Sequence, residues 1–401
     1  EVAFDLALMN SIPENVKVAC SYQDQYEEFI NPLDTTGSPY QIEVGQGVTV
    51  DNYIARDSQN RICFTSSDAN SVFVNSIKSN AVTYVSDGSY DVNSLSLPYV
   101  ANSSLILSSG ATLVGRVVLD GQITATSSPL TSNVNNRTST LPVADGSKFA
   151  VGDFIKVKDT GSAQYPSYPF PGTGASYSEH MEGNRIKAIS GNTLTLETPL
   201  CNDYTTTNTA TVYKVNPFHD FTLKGGTIYN DVTRYSLLGS WCQNITIDSI
   251  TVTVSNPGLD NNDGVLFMTT WYSNFDKLTS INNHDGLDLE ICSCYNTITD
   301  FTSYGCNANG IDFAVFAYYN TVINPVIYNN IGQDGIALEY YASYNTIINP
   351  RISQIVSSGA SGIGINYGSC WNTVIGGNIH NNYRGISIDN DASNNKIQSV
   401  N

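Results

Sequence analysis

The stretch that decides the fold reads Asp285-Gly286-Leu287-Asp288-Leu289-Glu290-Ile291-Cys292-Ser293-Cys294-Tyr295-Asn296-Thr297-Ile298. It recurs as Asn309-Gly310-Ile311-Asp312-Phe313-Ala314-Val315-Phe316-Ala317-Tyr318-Tyr319-Asn320-Thr321-Val322. In both copies an Asn follows the Gly after ten residues. Working outward, the Gly is found at 264, 286, 310, 335, 362 and 385, and the Asn at 274, 296, 320, 345, 372 and 395. Both series step by 22, 24, 25, 27 and 23, so all length variation falls in the arc after the Asn. The first position after the Gly holds Val265, Leu287, Ile311, Ile336, Ile363 and Ile386, and the third holds Phe267, Leu289, Phe313, Leu338, Ile365 and Ile388. Positions two and four are mostly polar or small, the period-2 alternation of a half-buried strand. A second strand follows the Asn, with Ile298, Val322, Ile347, Val374 and Ile397 two residues on.

Units this short bury their apolar faces only by stacking. Two or three short strands per unit, with no helix, predict an all-β, right-handed parallel β-helix with coils of 22–27 residues. The Asn column predicts a hydrogen-bonded ladder at a turn, with Tyr295, Tyr319, Tyr344 and Trp371 stacked beside it. Asp276 occupies the slot that is apolar in the other coils, which predicts a register slip there. Residues 217–401 are read as regular coils, 76–127 as the entrance to the β-helix, 128–216 as a small inserted β-domain and 1–75 as a β-rich N-terminal region. The insertion contains Val151-Gly-Asp-Phe-Ile-Lys-Val-Lys158 and Asn192-Thr-Leu-Thr-Leu-Glu197, alternating strands flanking the Pro-rich run Tyr165 to Gly172.

Composition agrees. Charged residues are 13% of the 401, about half the usual share, while 41% are hydrophobic. Polarity therefore comes from uncharged Asn, Ser, Thr and Tyr, which favours strands over helices. A net charge of −18 argues against a nucleic-acid partner, and no apolar run is long enough for membrane insertion. The eight Cys are scattered without paired Cys-x-x-Cys spacing, and buried free thiols are expected. The chain begins with Glu rather than Met, which implies processing or excision from something longer. It ends directly after a coil, where a covering element is expected.

Stacked coils place equivalent positions about 4.8 Å apart, which turns the sequence into a surface map. Asp263, Asp285, Asp288, Glu290, Asp312, Asp334 and Glu339 then gather on one outer face. Carboxylates this close cannot all ionise normally. A proton-bearing carboxyl beside an ionised one is what glycosidic cleavage requires. Asp288 with Asp312 suits the roughly 5 Å of retaining enzymes, and Asp285 with Asp260 or Asp288 the roughly 6.5–9.5 Å of inverting ones. A competing reading is structural: Asp before Gly at a recurring turn explains Asp263, Asp285 and Asp334 without catalysis. Asp288 and Asp312 escape it, since a mid-strand outward position gains nothing from Asp. His284 is either a solvated loop residue or a group that tunes Asp285. Trp241, Trp271, Tyr272 and Tyr340 suit sugar contact or inter-coil packing equally well. No cofactor or metal is called for, since Asp260, Asn262 and Asp263 lack EF-hand spacing.

His284-Asp285-Gly286-Leu287-Asp288-Leu289 resembles the Asp-Gly-x-Asp-Leu segment of podovirus tailspike endorhamnosidases. More broadly, residues 89–401 resemble pectate-lyase-like phage tail proteins, including their inserted β-domain. The resemblance implies a homotrimeric tailspike that cleaves a bacterial surface polysaccharide, O-antigen or capsule, with Asp285 and Asp288 catalytic. It places Asp260, or next Asp263, at the position of the family's third carboxylate, a Glu there. Trp271, Tyr272, His284, Glu290, Glu339, Tyr340 and Trp241 complete the candidate substrate-binding set. The implied location is the virion tail, acting outside the host cell, with residues 1–75 contacting other tail proteins. Two alternatives remain at this point, a lyase on a uronate-containing polymer and a non-catalytic receptor-binding β-helix. The lyase candidates Lys277, His284, Tyr272 and Arg351 form no column, and the negative charge would repel an acidic polymer.

Overall fold

The structure is a computed structural model that describes residues 41–46, 53–56, 62–161, 180–230, 235–254 and 263–401. Residues 1–40, the Pro-rich run Tyr165 to Gly172, Asp260 and Asn262 lie outside the described residues.

Each regular coil carries three strands, for instance Leu287–Glu290, Thr297–Thr299 and Thr302–Tyr304, followed one coil on by Ile311–Phe313, Thr321–Ile323 and Val326–Tyr328. Every strand pairs in parallel with its equivalent, as in Leu287↔Ile311, Ile298↔Val322 and Thr302↔Val326. The result is a parallel β-helix. The third strand lies in the arc whose length varies, where Ser280, Ser303, Ile327 and Ile352 turn inward in one column. Alternation explains the core. Leu287, Leu289, Ile298, Ile311, Phe313 and Val322 are fully buried in one continuous cluster that runs the length of the coils. Each such side chain contributes roughly 1.5–3 kcal/mol by leaving water.

The Asn ladder forms at the corner before the second strand. Asn320 Oδ1 accepts from the Asn296 backbone N–H at 2.9 Å and from its Nδ2 at 3.0 Å. Asn345 Oδ1 does the same for Asn320, and Asn372 Oδ1 for Asn345. The stack beside it runs Tyr272, Tyr295, Tyr319, Tyr344 and Trp371, with neighbouring rings 5.0–6.4 Å apart and within 18° of parallel. The expected slip is present. Asn274 pairs with Thr297 instead of Asn296, and Ser273 takes the rung by donating its N–H to Asn296 Oδ1.

Two parts of the structure were not foreseen. A helix, Ala69–Ser76, is capped by Asp68, whose carboxylate accepts from Asn70 N and Ser71 N. It turns Ala69, Val72 and Phe73 into the end of the core, where Phe73 meets Tyr90 edge-on. The i, i+3, i+4 pattern after an Asp was its signal. The strands Gln41–Gln46, Tyr53–Arg56 and Ile62–Ser66 also extend one sheet of the β-helix, with Gln41–Gln46 running parallel to Val82–Val85. Part of the N-terminal region is thus built onto the solenoid.

Between the strands Ala111–Asp120 and Phe218–Lys224, six antiparallel strands form a separate sheet around Leu141, Ile155, Val157, Leu194 and Val212. It docks on the solenoid. Phe154 meets Trp241 and Trp271 edge-on at 6.1 and 5.6 Å, and a side chain at Gly183 would collide with Thr269.

Candidate active site

The turn before each Gly builds a second ladder. Asp263 Oδ1 accepts from Asp285 N, Asp285 Oδ1 from Asn309 N, Asn309 Oδ1 from Asp334 N, and Asp334 Oδ1 from Ser361 N. Short polar side chains at this turn thus satisfy the backbone of the next coil, the role that Asp and Asn play in turns generally. This corner explains Asp263, Asp285 and Asp334 structurally. It leaves Asp285 Oδ2 for a second contact, while Asp263 Oδ1 serves both the ladder and His284. His284 Nδ1 sits 3.1 Å from Asp263 Oδ1 and 3.0 Å from Asp285 Oδ2, so the imidazole bridges the two carboxylates. It is not the solvated loop residue that the sequence left open. One ligand atom from each of the three residues lies within 4.8 Å of the others.

Asp288 and Asp312 have no such ladder. They are register partners on adjacent first strands, each is only 5% exposed, and each has a buried Oδ1 with no hydrogen-bond partner. The outward face of the strand is therefore not a solvated face, contrary to the surface map. Met181 and Cys201 of the inserted sheet pack against the same end of these strands, beside Met268, Ile291 and Cys292. Two positions further on, Glu290 is buried and Glu339 partly so, with Ala314 taking the coil between them. Small residues follow Asp312 in its own column, Ala337 and then Gly364, where a Cβ would strike Asp334 Oδ2.

Burial and mutual repulsion hold protons here. Desolvation, then Glu290 and Asp312, push Asp288 well above the usual carboxylate range, and desolvation, then Glu339 and Asp285, do the same to Asp312. Burial lifts Glu339 to about 8 and Asp263 and Asp334 to about 6. Burial pulls His284 down, but its bonds to Asp263 and Asp285 outweigh this and raise it to about 10.

The direction of pH dependence follows. Carboxyls with raised native values bind more protons folded than unfolded, so their favourable contribution is full below about pH 4 and is lost as pH rises through their native values. His284 has the same sign, full below about pH 6.5 and lost toward the native value of about 10. The melting temperature is therefore expected to fall between about pH 5 and pH 9 by on the order of 5 °C. Calorimetry across that range checks it, and a flat or rising profile contradicts it.

The aromatic candidates divide. Trp271 is fully buried and Trp241 nearly so, both against Phe154, so they fasten the inserted sheet and are not sugar platforms. The sequence missed this because the covering strand lies far away in the chain. Tyr272 is held by a hydrogen bond to Glu197 and by Arg185, whose guanidinium lies 5.7 Å from its ring. Tyr340 stacks on Tyr367 at 4.8 Å. Where Phe316 and Tyr341 carry their coils away from the acids, a cleft of about 670 Å³ opens between the insertion and the aromatic stack. Arg137, Cys201, Tyr318, Tyr344 and Trp371 are among its lining residues, none of which the sequence marked as a site residue. Exposed Tyr344 and Trp371 were legible as stack members, but the opposing wall was not. Among the lyase candidates, Lys277 is paired with Asp276, and Arg351 lies on the third-strand face, apart from the acidic row.

The chain is thus a parallel β-helix with a buried acidic row and a neighbouring aromatic cleft. No family model matches it, and no curated protein matches its sequence. Among solved structures, the Gp54 tailspike of Acinetobacter baumannii bacteriophage AP22, in complex with A. baumannii capsular saccharide, is 15% identical, with 82% of this chain and 68% of that one covered and a TM-score of 0.40. The tailspike gp49 of Pseudomonas phage LKA1 is 14% identical over 82% and 70%, with a TM-score of 0.41. The A-module of the Azotobacter vinelandii mannuronan C-5 epimerase AlgE6 is 14% identical over 83% and 71%, with a TM-score of 0.45. Likeness at this level carries no argument about activity, which rests on the site's own residues.

Proposed function

We propose that this chain is a tailspike-type glycoside hydrolase that cleaves within a bacterial surface polysaccharide. The observation that carries the reading is the Asp288–Asp312 pair, buried on adjacent coils with an unpartnered oxygen on each. A general acid must keep its proton at neutral pH, and two carboxyls in one dry site cannot both ionise. One of the pair protonates the leaving glycosidic oxygen, and the other, once ionised, attacks the sugar or activates water. Asp263, Asp285 and His284 form a charged neighbour that biases which of the two holds the proton. Asp285 acts in this reading as a positioning residue. The cleft beside the row receives the polymer, and homotrimer assembly and attachment to a phage tail belong to the same proposal.

The test is incubation of the protein with host O-antigen and capsular polymers, followed by assay of reducing ends and ultraviolet absorbance. Reducing ends without new absorbance support hydrolysis. An unsaturated, absorbing product means elimination, which protonated Asp288 or Asp312 would assist by donating a hydrogen bond to a uronate carboxylate. Binding without any product means a receptor-binding role and overturns the enzyme reading.

A further inference from the structure

The interface between the inserted sheet and the solenoid contains a second cluster, independent of the acidic row's chemistry. Glu182 comes from the strand His180–Ser190, Cys201 from the link after Thr193–Leu196, and Cys292 from the turn after Leu287–Glu290. One ligand atom from each lies within 4.8 Å of the other two. Cys292 is placed there by consecutive left-handed residues, with φ of 45° at Ile291 and 57° at Cys292. Phe316 and Tyr341 follow it in the next coils, where the corresponding N–H groups continue the same ladder.

Glu182 is the feature that simple packing does not explain. It is 1% exposed. Its Oε2 accepts from Cys201 N at 2.8 Å and from Asn202 N and Nδ2 at 3.2 Å each. Its Oε1 is equally buried and has no hydrogen-bond partner. An acid held in place by three donors, with its remaining oxygen orphaned beside two thiols, is costly unless something binds there. The hydroxyl of Tyr204 is fully buried beside the same three residues.

We propose that Glu182, Cys201 and Cys292 bind a thiophilic divalent cation, zinc in the first place, that fastens the inserted sheet to the solenoid. Two thiolates and a carboxylate are a donor set that zinc accepts, and a fourth ligand completes its tetrahedron. Binding releases the thiol protons and leaves Glu182 ionised. Burial alone does the opposite, pushing Glu182 up to about 8 and Cys201 well above the usual thiol range. Sequence spacing gave no hint of the site, since its ligands stand 19 and 91 residues apart along the chain. Cys201 also lines the cleft, so the cation would stiffen one wall of the proposed substrate site.

A disulfide between Cys201 and Cys292 would join the same two elements but would leave the Glu182 oxygen unpartnered, which is why the cation is preferred. The test uses the full chain, reduced, stripped with chelator and titrated with cobalt(II). The expected result is a thiolate-to-cobalt charge-transfer band that saturates at one equivalent and is displaced by zinc. Cys201→Ser and Cys292→Ser should each abolish or shift the band and weaken zinc more than about 100-fold, and Glu182→Gln should weaken zinc while retaining sulfur absorption. Absence of the band in the wild type, with both thiols titratable, overturns the proposal whatever the variants do. So does a thiol count on the protein as purified, before reduction, showing that the two cysteines have formed a disulfide that excludes metal. Persistence of the band in the Cys201→Ser/Cys292→Ser double variant would place any metal elsewhere and equally refute the assignment.

Discussion

Replacing Asp288 with Asn is expected to lower reducing-end release about 1,000-fold, within the range by which positioned acids and bases contribute, while leaving the fold intact. The amide nearly matches a protonated carboxyl in shape and cannot transfer a proton. Because burial and its neighbours already hold the Asp288 carboxyl in its neutral form, the substitution should cost little stability near pH 6. At pH 9 it should raise the melting temperature relative to wild type, since one carboxyl fewer is forced to ionise out of water. Asp312→Asn should behave in the same way, and the double variant should lose little more activity than either single one, because the two act as one proton-sharing unit. Asp285→Asn is the informative contrast. An amide oxygen can still accept from Asn309 N, so the turn survives, but the bridge through His284 changes. A smaller loss, about tenfold, with a shifted pH–rate profile identifies a positioning residue. A loss as large as that of Asp288→Asn would instead place Asp285 in the chemistry itself.

Much of the architecture was legible because a β-helix writes its stacking into columns. The offset of ten residues from Gly to Asn fixed which residues neighbour each other across coils, and the register Asp288↔Asp312 follows from that spacing alone. The slip at Asp276 was also readable, as a polar residue in an apolar column. What the columns could not convey is what lies on top of them. The fastening of Trp241 and Trp271 and the convergence of Glu182 with Cys292 both involve the inserted sheet, whose contacts with the coils span long stretches of chain. Periodicity gives the faces of a solenoid but not their partners. The helix Ala69–Ser76 escaped for a different reason. It is two turns long, and tertiary burial of Phe73 and Val72 supports it where intrinsic propensity is weak.

The Asn ladder offers a way to separate stability from catalysis, because its rungs are chemically alike but differ in distance from the acidic row. Asn320 follows Asp312 in the same coil, whereas Asn372 lies two coils further on. Both are 1% exposed. Asn320 Nδ2 donates to Ser293 O and Asn345 Oδ1, and Asn372 Nδ2 donates to Ala342 O. Both accept from the preceding rung through Oδ1. Truncation to Ala strands buried N–H and C=O groups, and at 1–3 kcal/mol for each unsatisfied group the loss should be about 4 kcal/mol at either site. The functional effects should diverge. The ladder sets how one coil sits on the next, so Asn320→Ala loosens the Asp288–Asp312 separation, and misplacement by an ångström can cost about 100-fold in rate. Asn372→Ala, equally destabilised and two coils from the pair, leaves the Asp288–Asp312 register alone and, because its neighbour Trp371 lines the cleft, should raise KM more than it lowers kcat at temperatures where it remains folded. Denaturant unfolding and reducing-end assays on the two variants make the comparison. Equal activity losses at equal stability would mean that the acidic row does not depend on local coil register, and would move the chemistry away from the Asp288–Asp312 pair.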